Sequence, residues 1–287
     1  MSGRAKRTPP ILGCHLSAGM GYVAMAEAAL GIGAGTFQYF SRNPRGRGVR
    51  PMDSEDAKGL VRLAAERGMG PILAHAPYIY NLCSADPHVR DYTKGYIRED
   101  LARLELMQGS LYVLHPGSHV GQGADAAIGM IASALDEVLS EGFTTKVLLE
   151  TMSGKGTEVG GRFGELRAIM DAMTWGGKVG LCLDTCHAYD AGYDMVGMMG
   201  AVLSELDDAV GLGRLSAVHV NDSKNGLGCR KDRHERIGEG TMGAAFFGAL
   251  IAEPAFSGLP MVLETPNDMG GYAREISLLK GMADVGD

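Results

Sequence analysis

Short apolar runs punctuate the chain at ILGC (11–14), TFQYF (36–40), PILA (71–74), LYVL (111–114), VLL (147–149), VGLCL (179–183), LSAV (215–218) and MVL (261–263). Each has strand length and is bounded by glycine, proline or polar residues, the pattern of a buried parallel strand. Helical patterns lie between them. In SEDAKGLVRLAAERG (54–68) a capping serine precedes acids in the first turn, and the segment stops at glycine. In ADAAIGMIASALDEVLSEG (124–142) apolar residues recur three and four apart before another glycine. Successive runs start roughly 25 to 45 residues apart, with no proline- or serine-rich linker between them. Eight strands alternating with helices predict a (β/α)8 TIM barrel, an α/β fold forming a single domain over 1–287. A doubly wound open sheet is the competing architecture. Residues 1–10 are expected to form a flexible N-terminal extension.

The residues that end these runs carry more information than the runs. Along the chain they are His15, His75, His115, Glu150, Asp184, His219 and Glu264, with only the second run ending otherwise. Barrel active sites sit at the C-terminal ends of the strands, so these side chains are expected to converge on one mouth. Any one of them reads most simply as a turn residue. Seven together do not, because turns favour Gly, Asn, Asp, Ser and Pro over His and Glu. The set His75, His115, Glu150, Asp184, His219 and Glu264 offers nitrogen and oxygen donors suited to Zn2+, Mn2+ or Fe2+. Six donors exceed the needs of one catalytic zinc, and a carboxylate among them can bridge two ions. That predicts a multinuclear site for phosphoryl or sugar-hydroxyl chemistry.

Loops beyond the strands add candidates. His187 follows Asp184 by three residues, and the long loop after His219 carries Asp232-Arg233-His234. A D-x-H in a loop usually faces solvent; with His187 it can form a second, three-ligand cluster. Cys182 reads as barrel interior and Cys186 as packing. The loop Ser41-Arg42-Asn43-Pro44-Arg45-Gly46-Arg47 is basic, and Tyr78-Ile79-Tyr80 places exposed-looking side chains just past His75. Packing over the barrel end and a wedge between stacked bases are both open for that tripeptide.

Composition narrows the classes. The 287 residues include 43 glycines, about 15% against a usual ~7%, with no collagen-like period, so tight turns and close backbone approaches abound. A net charge of −7 argues against coating nucleic acid through bulk positive charge. No apolar run has the length of a membrane span, and no apolar segment follows Arg4, Lys6 and Arg7 as a signal peptide requires. Five scattered cysteines fit no disulfide framework, so a cytoplasmic setting is expected.

The motifs LHPGSH (114–119), LDTCHAYDAGYD (183–194), HVNDSK (219–224), DRHERIGEG (232–240) and LET (263–265) resemble those of endonuclease IV, the metal-dependent apurinic/apyrimidinic endonucleases of base-excision repair. The likeness runs over nearly the whole chain. It implies three zinc ions per chain, with Mn2+ or Fe2+ as alternatives at one or more positions. By the resemblance His75 and His115 hold one ion with Glu150 as a bridging carboxylate. Glu150, Asp184, His219 and Glu264 surround the second, and His187, Asp232 and His234 hold the third. Glu150 and Glu264 are the implied catalytic carboxylates. Tyr78 and Ile79 match the family's intercalating wedge, and Arg45 and Arg233 its DNA contacts. The chain departs from the family at Ala76-Pro77 and at Gly46-Arg47-Gly48, in the DNA-facing loops. The implied reaction is hydrolysis of the phosphodiester 5′ to an abasic site by a metal-bridging hydroxide, leaving a 3′-hydroxyl and a 5′-deoxyribose phosphate. The implied partner is double-stranded DNA containing abasic sites, and a monomer is expected. A two-metal sugar isomerase or epimerase is the alternative, and it leaves His187, Asp232 and His234 without a task.

Overall fold

The computed structural model describes residues 9–46, 48–49 and 51–284. All of the expected N-terminal extension except Pro9 and Pro10 lies outside them, as does Arg47. Parallel strands β1 (Ile11–Leu16), β2 (Thr36–Phe40), β3 (Leu73–His75), β4 (Leu111–Leu114), β5 (Lys146–Glu150), β6 (Val179–Asp184), β7 (Leu215–His219) and β8 (Pro260–Leu263) pair in chain order. The sheet closes where β8 meets β1, with Leu263 opposite Cys14. Gly13 permits a tight contact with β2, since a Cβ there would lie 2.3 Å from the Thr36 carbonyl oxygen. The TIM barrel is thus the fold, and the open sheet is excluded.

The helices are α1 (Tyr22–Gly31), α2 (Ser54–Arg67), α3 (Pro87–Leu104), α4 (Ala124–Leu139), α5 (Phe163–Ala172), α6 (Thr185–Ala191), α7 (Met199–Ala209), α8 (Ala244–Ala252) and α9 (Met269–Asp284). None of the described helices is long and apolar enough to cross a membrane. Two boundaries differ from the sequence expectation. Asp53, not Ser54, caps α2, accepting the N–H groups of Glu55 and Asp56 at 2.9 and 3.3 Å. A carboxylate at that position also complements the helix dipole. Strand β3 begins at Leu73 rather than Pro71, whose nitrogen has no hydrogen to give a ladder.

The barrel interior is plugged by Leu73, Val113, Leu148, Cys182, Ala217 and Val262, one from each of β3 to β8. Strand side chains alternate between faces, so the residue two positions later also points inward. Those residues are His75, His115, Glu150, Asp184, His219 and Glu264. The polar ring therefore sits one layer above the apolar plug, at the C-terminal mouth. Strands β1 and β2 contribute His15 and Gln38 side by side at the same level.

Candidate metal centre

Nine His, Asp and Glu side chains named from the sequence meet at this mouth in three clusters, and within each the ligand-type atoms lie within 4.8 Å of one another. In the first, Glu150 Oε2 lies 3.0 Å from His75 Nε2 and 3.2 Å from His115 Nε2. In the second, His219 Nδ1 lies 2.9 Å from Glu150 Oε1, 3.3 Å from Glu264 Oε2 and 3.8 Å from Asp184 Oδ2. Glu150 thus gives one oxygen to each cluster. In the third, Asp232 Oδ1 lies 3.1 Å from His187 Nε2 and 3.6 Å from His234 Nε2. Asp184 Oδ2, 3.7 Å from His234 Nε2, links the second cluster to the third.

The surroundings aim each imidazole. The carbonyl of Ala76 bonds His75 Nδ1 at 2.7 Å and that of Thr151 bonds His187 Nδ1 at 2.9 Å, which turns both Nε2 atoms to the clusters. His219 is reversed, because Gln38 Oε1 takes its Nε2 at 2.8 Å. Gln38 also donates to Glu264 at 2.6 Å, and Asn221 donates to Asp184 at 2.7 Å. Burial alone would push His187 and His219 down. Asp184, Asp232 and Glu150 around His187, and Cys182, Glu264 and Glu150 beside His219, outweigh it and hold both imidazoles well above their ordinary range. Burial likewise opposes ionisation of Glu150 and Glu264, yet His219 and its neighbours hold both well below the usual carboxylate range. Asp232 falls to about 2, as His187 and His234 overcome its burial.

This donor set fits divalent metal. The Nε2 atoms of His187 and His234 are buried without a hydrogen bond of good geometry, a costly state for polar atoms that a cation bound in place of their protons would relieve. Imidazole and carboxylate without thiolate suit zinc, manganese or iron. Cys186 lies against Asp184 and His234, but burial pushes its thiol well up, so it packs as a neutral side chain.

Residues 26–282 match the model of the xylose isomerase-like TIM barrel family. A protein of Clostridium beijerinckii described as probable endonuclease 4 is 48% identical, covering 94% of this chain and 98% of its own. Its counterpart in Akkermansia muciniphila is 49% identical over the same shares. The solved structure of endonuclease IV from Thermus thermophilus superposes with a TM-score of 0.85, at 29% identity over 96% of this chain and 100% of that one. The chain belongs to the endonuclease IV family. A D-tagatose 3-epimerase-like protein, at TM-score 0.73 and 20% identity, shares the fold alone.

In this chain the clusters floor a cavity of about 560 Å³ whose rim includes Tyr78, Ile79, Lys155 and Arg233. Tyr78 is 57% exposed, its ring edge-on to Phe40 at 5.1 Å, while Ile79 is half-buried. Tyr80, expected beside them, is instead buried with its hydroxyl on Asp100. Arg45 and Arg233 are exposed, but only Arg233 lines the cavity. Arg42, read as part of a basic loop, is turned inward and ion-paired to Asp100 at 2.7 Å. His15 stays outside the three clusters, its Nδ1 3.1 Å from Gln38 Nε2. Sequence reasoning missed Gln38, Asn221 and Lys155. The available signal for Gln38 was an amide among the aromatic residues of TFQYF. For Asn221 it was a spacing of two from His219.

Proposed function

We propose that the chain is a DNA-repair endonuclease that hydrolyses the phosphodiester 5′ to an abasic site, leaving a 3′-hydroxyl and a 5′-deoxyribose phosphate, with three zinc ions held by the three clusters. Membership of the endonuclease IV family supports the nuclease class, and the third cluster carries the finer reading. It adds His187, Asp232 and His234 to a four-residue set that would already serve a two-metal sugar epimerase. Zinc bound in these clusters supplies water acidified to attack phosphorus near neutral pH and positive charge to offset that growing on the phosphate.

The chain's own residues do the rest. Glu150 ties the first two clusters into one unit, and Asp184 ties the second to the third. Glu264, held ionised beside His219, contributes the remaining carboxylate that borders both the second cluster and the cavity. Tyr78 and Ile79 stand at the rim as the wedge, and Arg45 and Arg233 meet backbone phosphates. An abasic nucleotide has no base to unstack, so turning it into the cavity costs less than turning out an intact one.

The test sets the zinc-loaded protein against an abasic duplex and, separately, against ketoses. Incision leaving 3′-hydroxyl ends, with about three zinc ions per chain by elemental analysis, is the expected result. Ketose epimerisation without incision would replace this reading with the isomerase.

A further inference from the structure

Two of the cluster residues do not come from the barrel. Asp232 and His234 ride on the long loop after β7, and a loop needs a reason to present them at one fixed place. The segment 230–232 is held in an unusual shape: Arg230 and Asp232 both have φ of 54°, in the left-handed region that disfavours side chains. Both of their N–H groups are taken by one residue. Arg230 N–H bonds the Asp190 carbonyl at 2.9 Å, and Asp232 N–H bonds Asp190 Oδ2 at 2.9 Å.

Asp190 is fully buried, and its other oxygen accepts the Ser223 hydroxyl at 2.7 Å. It lies on α6, three residues after His187 and so on the same side of the helix. The carbonyls at the end of a helix lack partners within it. Here the loop supplies them, with Gly228 N–H on the Tyr189 carbonyl at 3.0 Å beside the Arg230 contact. One short helix therefore carries one member of the third cluster directly and seats the loop that carries the other two.

We propose that Asp190 is the positioning residue of the third metal site: it holds Arg230 and Asp232 in the left-handed conformation that faces Asp232 toward His187. This rests on the three-zinc reading above. Asp190 touches neither metal nor DNA in this role and acts through the Asp232 main chain. A side chain that keeps an acceptor in place keeps the site; one that removes it lets the loop relax and the third ion escape.

The experiment counts zinc and measures its weakest binding step in three variants of the full chain. Asp190→Ala is expected to hold two ions, with the third bound at least tenfold more weakly. Asp190→Asn, whose amide oxygen can still receive the Asp232 N–H, restores three. Ser223→Ala, which removes the hydroxyl on the carboxylate's other oxygen, keeps three. Three ions at unchanged affinity in Asp190→Ala, or loss of all three in a folded variant, would overturn the proposal. Fewer than three ions in the unaltered protein would instead overturn the three-zinc reading. If Asp190→Ala does not fold, amide exchange in the zinc-loaded unaltered protein decides. Protection of the Arg230 and Asp232 amides at the level of α6 supports the proposal, and exchange at loop rates defeats it.

Discussion

Glu150 is fully buried, and each of its carboxylate oxygens faces a different cluster, so no neighbouring side chain can take over its position. Tyr78 is the opposite kind of residue: largely exposed, resting on Phe40, and not itself part of a cluster. Removing its ring should therefore leave the fold and the metal unaffected. Tyr78→Ala together with Arg45→Ala is expected to weaken binding to an abasic duplex. A stacking contact is worth about 1–3 kcal/mol, or about five- to 150-fold in affinity, before the lost phosphate contact is added. Fluorescence anisotropy with zinc counted in parallel would check it, and unchanged affinity would reduce both residues to rim packing. The contrast also explains what the sequence could disclose. His, Asp and Glu at strand ends advertise their chemistry by residue type. Gln38 and Asn221 do not, because they matter only through what barrel closure sets opposite them: His219 and Glu264 for one, Asp184 for the other. Arg42 and Tyr80 misled for the same reason, since their partner Asp100 lies on a distant helix.

Between residues and barrel stand the loops, and buried carboxylates tie them down. Asp100 on α3 accepts the Arg42 guanidinium at 2.7 Å, the Ser41 hydroxyl at 2.8 Å, and the hydroxyls of Tyr112 and Tyr80 at 3.0 and 3.1 Å. It thereby joins the loop bearing Arg45 to the loop bearing Tyr78. Asp222 does the same for the far side, collecting the N–H groups of Ser223, Gly238, Gly240 and Met242 between 2.8 and 3.1 Å. Breaking a buried ion pair by removing one partner costs about 3–5 kcal/mol. Asp100→Ala should fall near the lower end, because Arg42 keeps Glu99 at 2.6 Å. Urea unfolding would read the loss as a lower midpoint. A midpoint matching the unaltered protein would show that water satisfies Arg42 in the variant. At this scale the strands were legible, because apolar runs between breakers carry their own signal. The pinning of the loops was not, since apart from the adjacent Ser223 it depends on contacts 16 to 59 residues apart in the chain.

For the whole molecule the question is how far the barrel depends on its metal. The apolar plug lies one layer beneath the polar ring, and the helices pack on the outer face, so the core that drives folding does not include the clusters. The polar ring also has pairs of its own, among them His75 with Glu150 and His219 with Glu150. Protein stripped by a chelator is therefore expected to remain a folded barrel with a lower melting temperature. The difference follows the binding free energy, about 2.7 kcal/mol for each site at a hundredfold excess of zinc over its Kd. Its pH dependence has a definite sign. His187 and His219 are held well above 6.5, so in the stripped, folded protein they carry protons at neutral pH. Their contribution to the stripped fold is complete below 6.5 and is lost as pH rises through the elevated folded values. Zinc must displace those protons, so it binds more weakly as pH falls. The gap in melting temperature between zinc-loaded and stripped protein should shrink from about pH 8 to about pH 6, and zinc titration should release protons into the buffer. Calorimetry in two buffers of different ionisation enthalpy measures that release. An unfolded stripped chain would mean that the metal organises the barrel rather than occupying a site the barrel has already built, and a gap independent of pH would mean that zinc displaces no protons from these histidines.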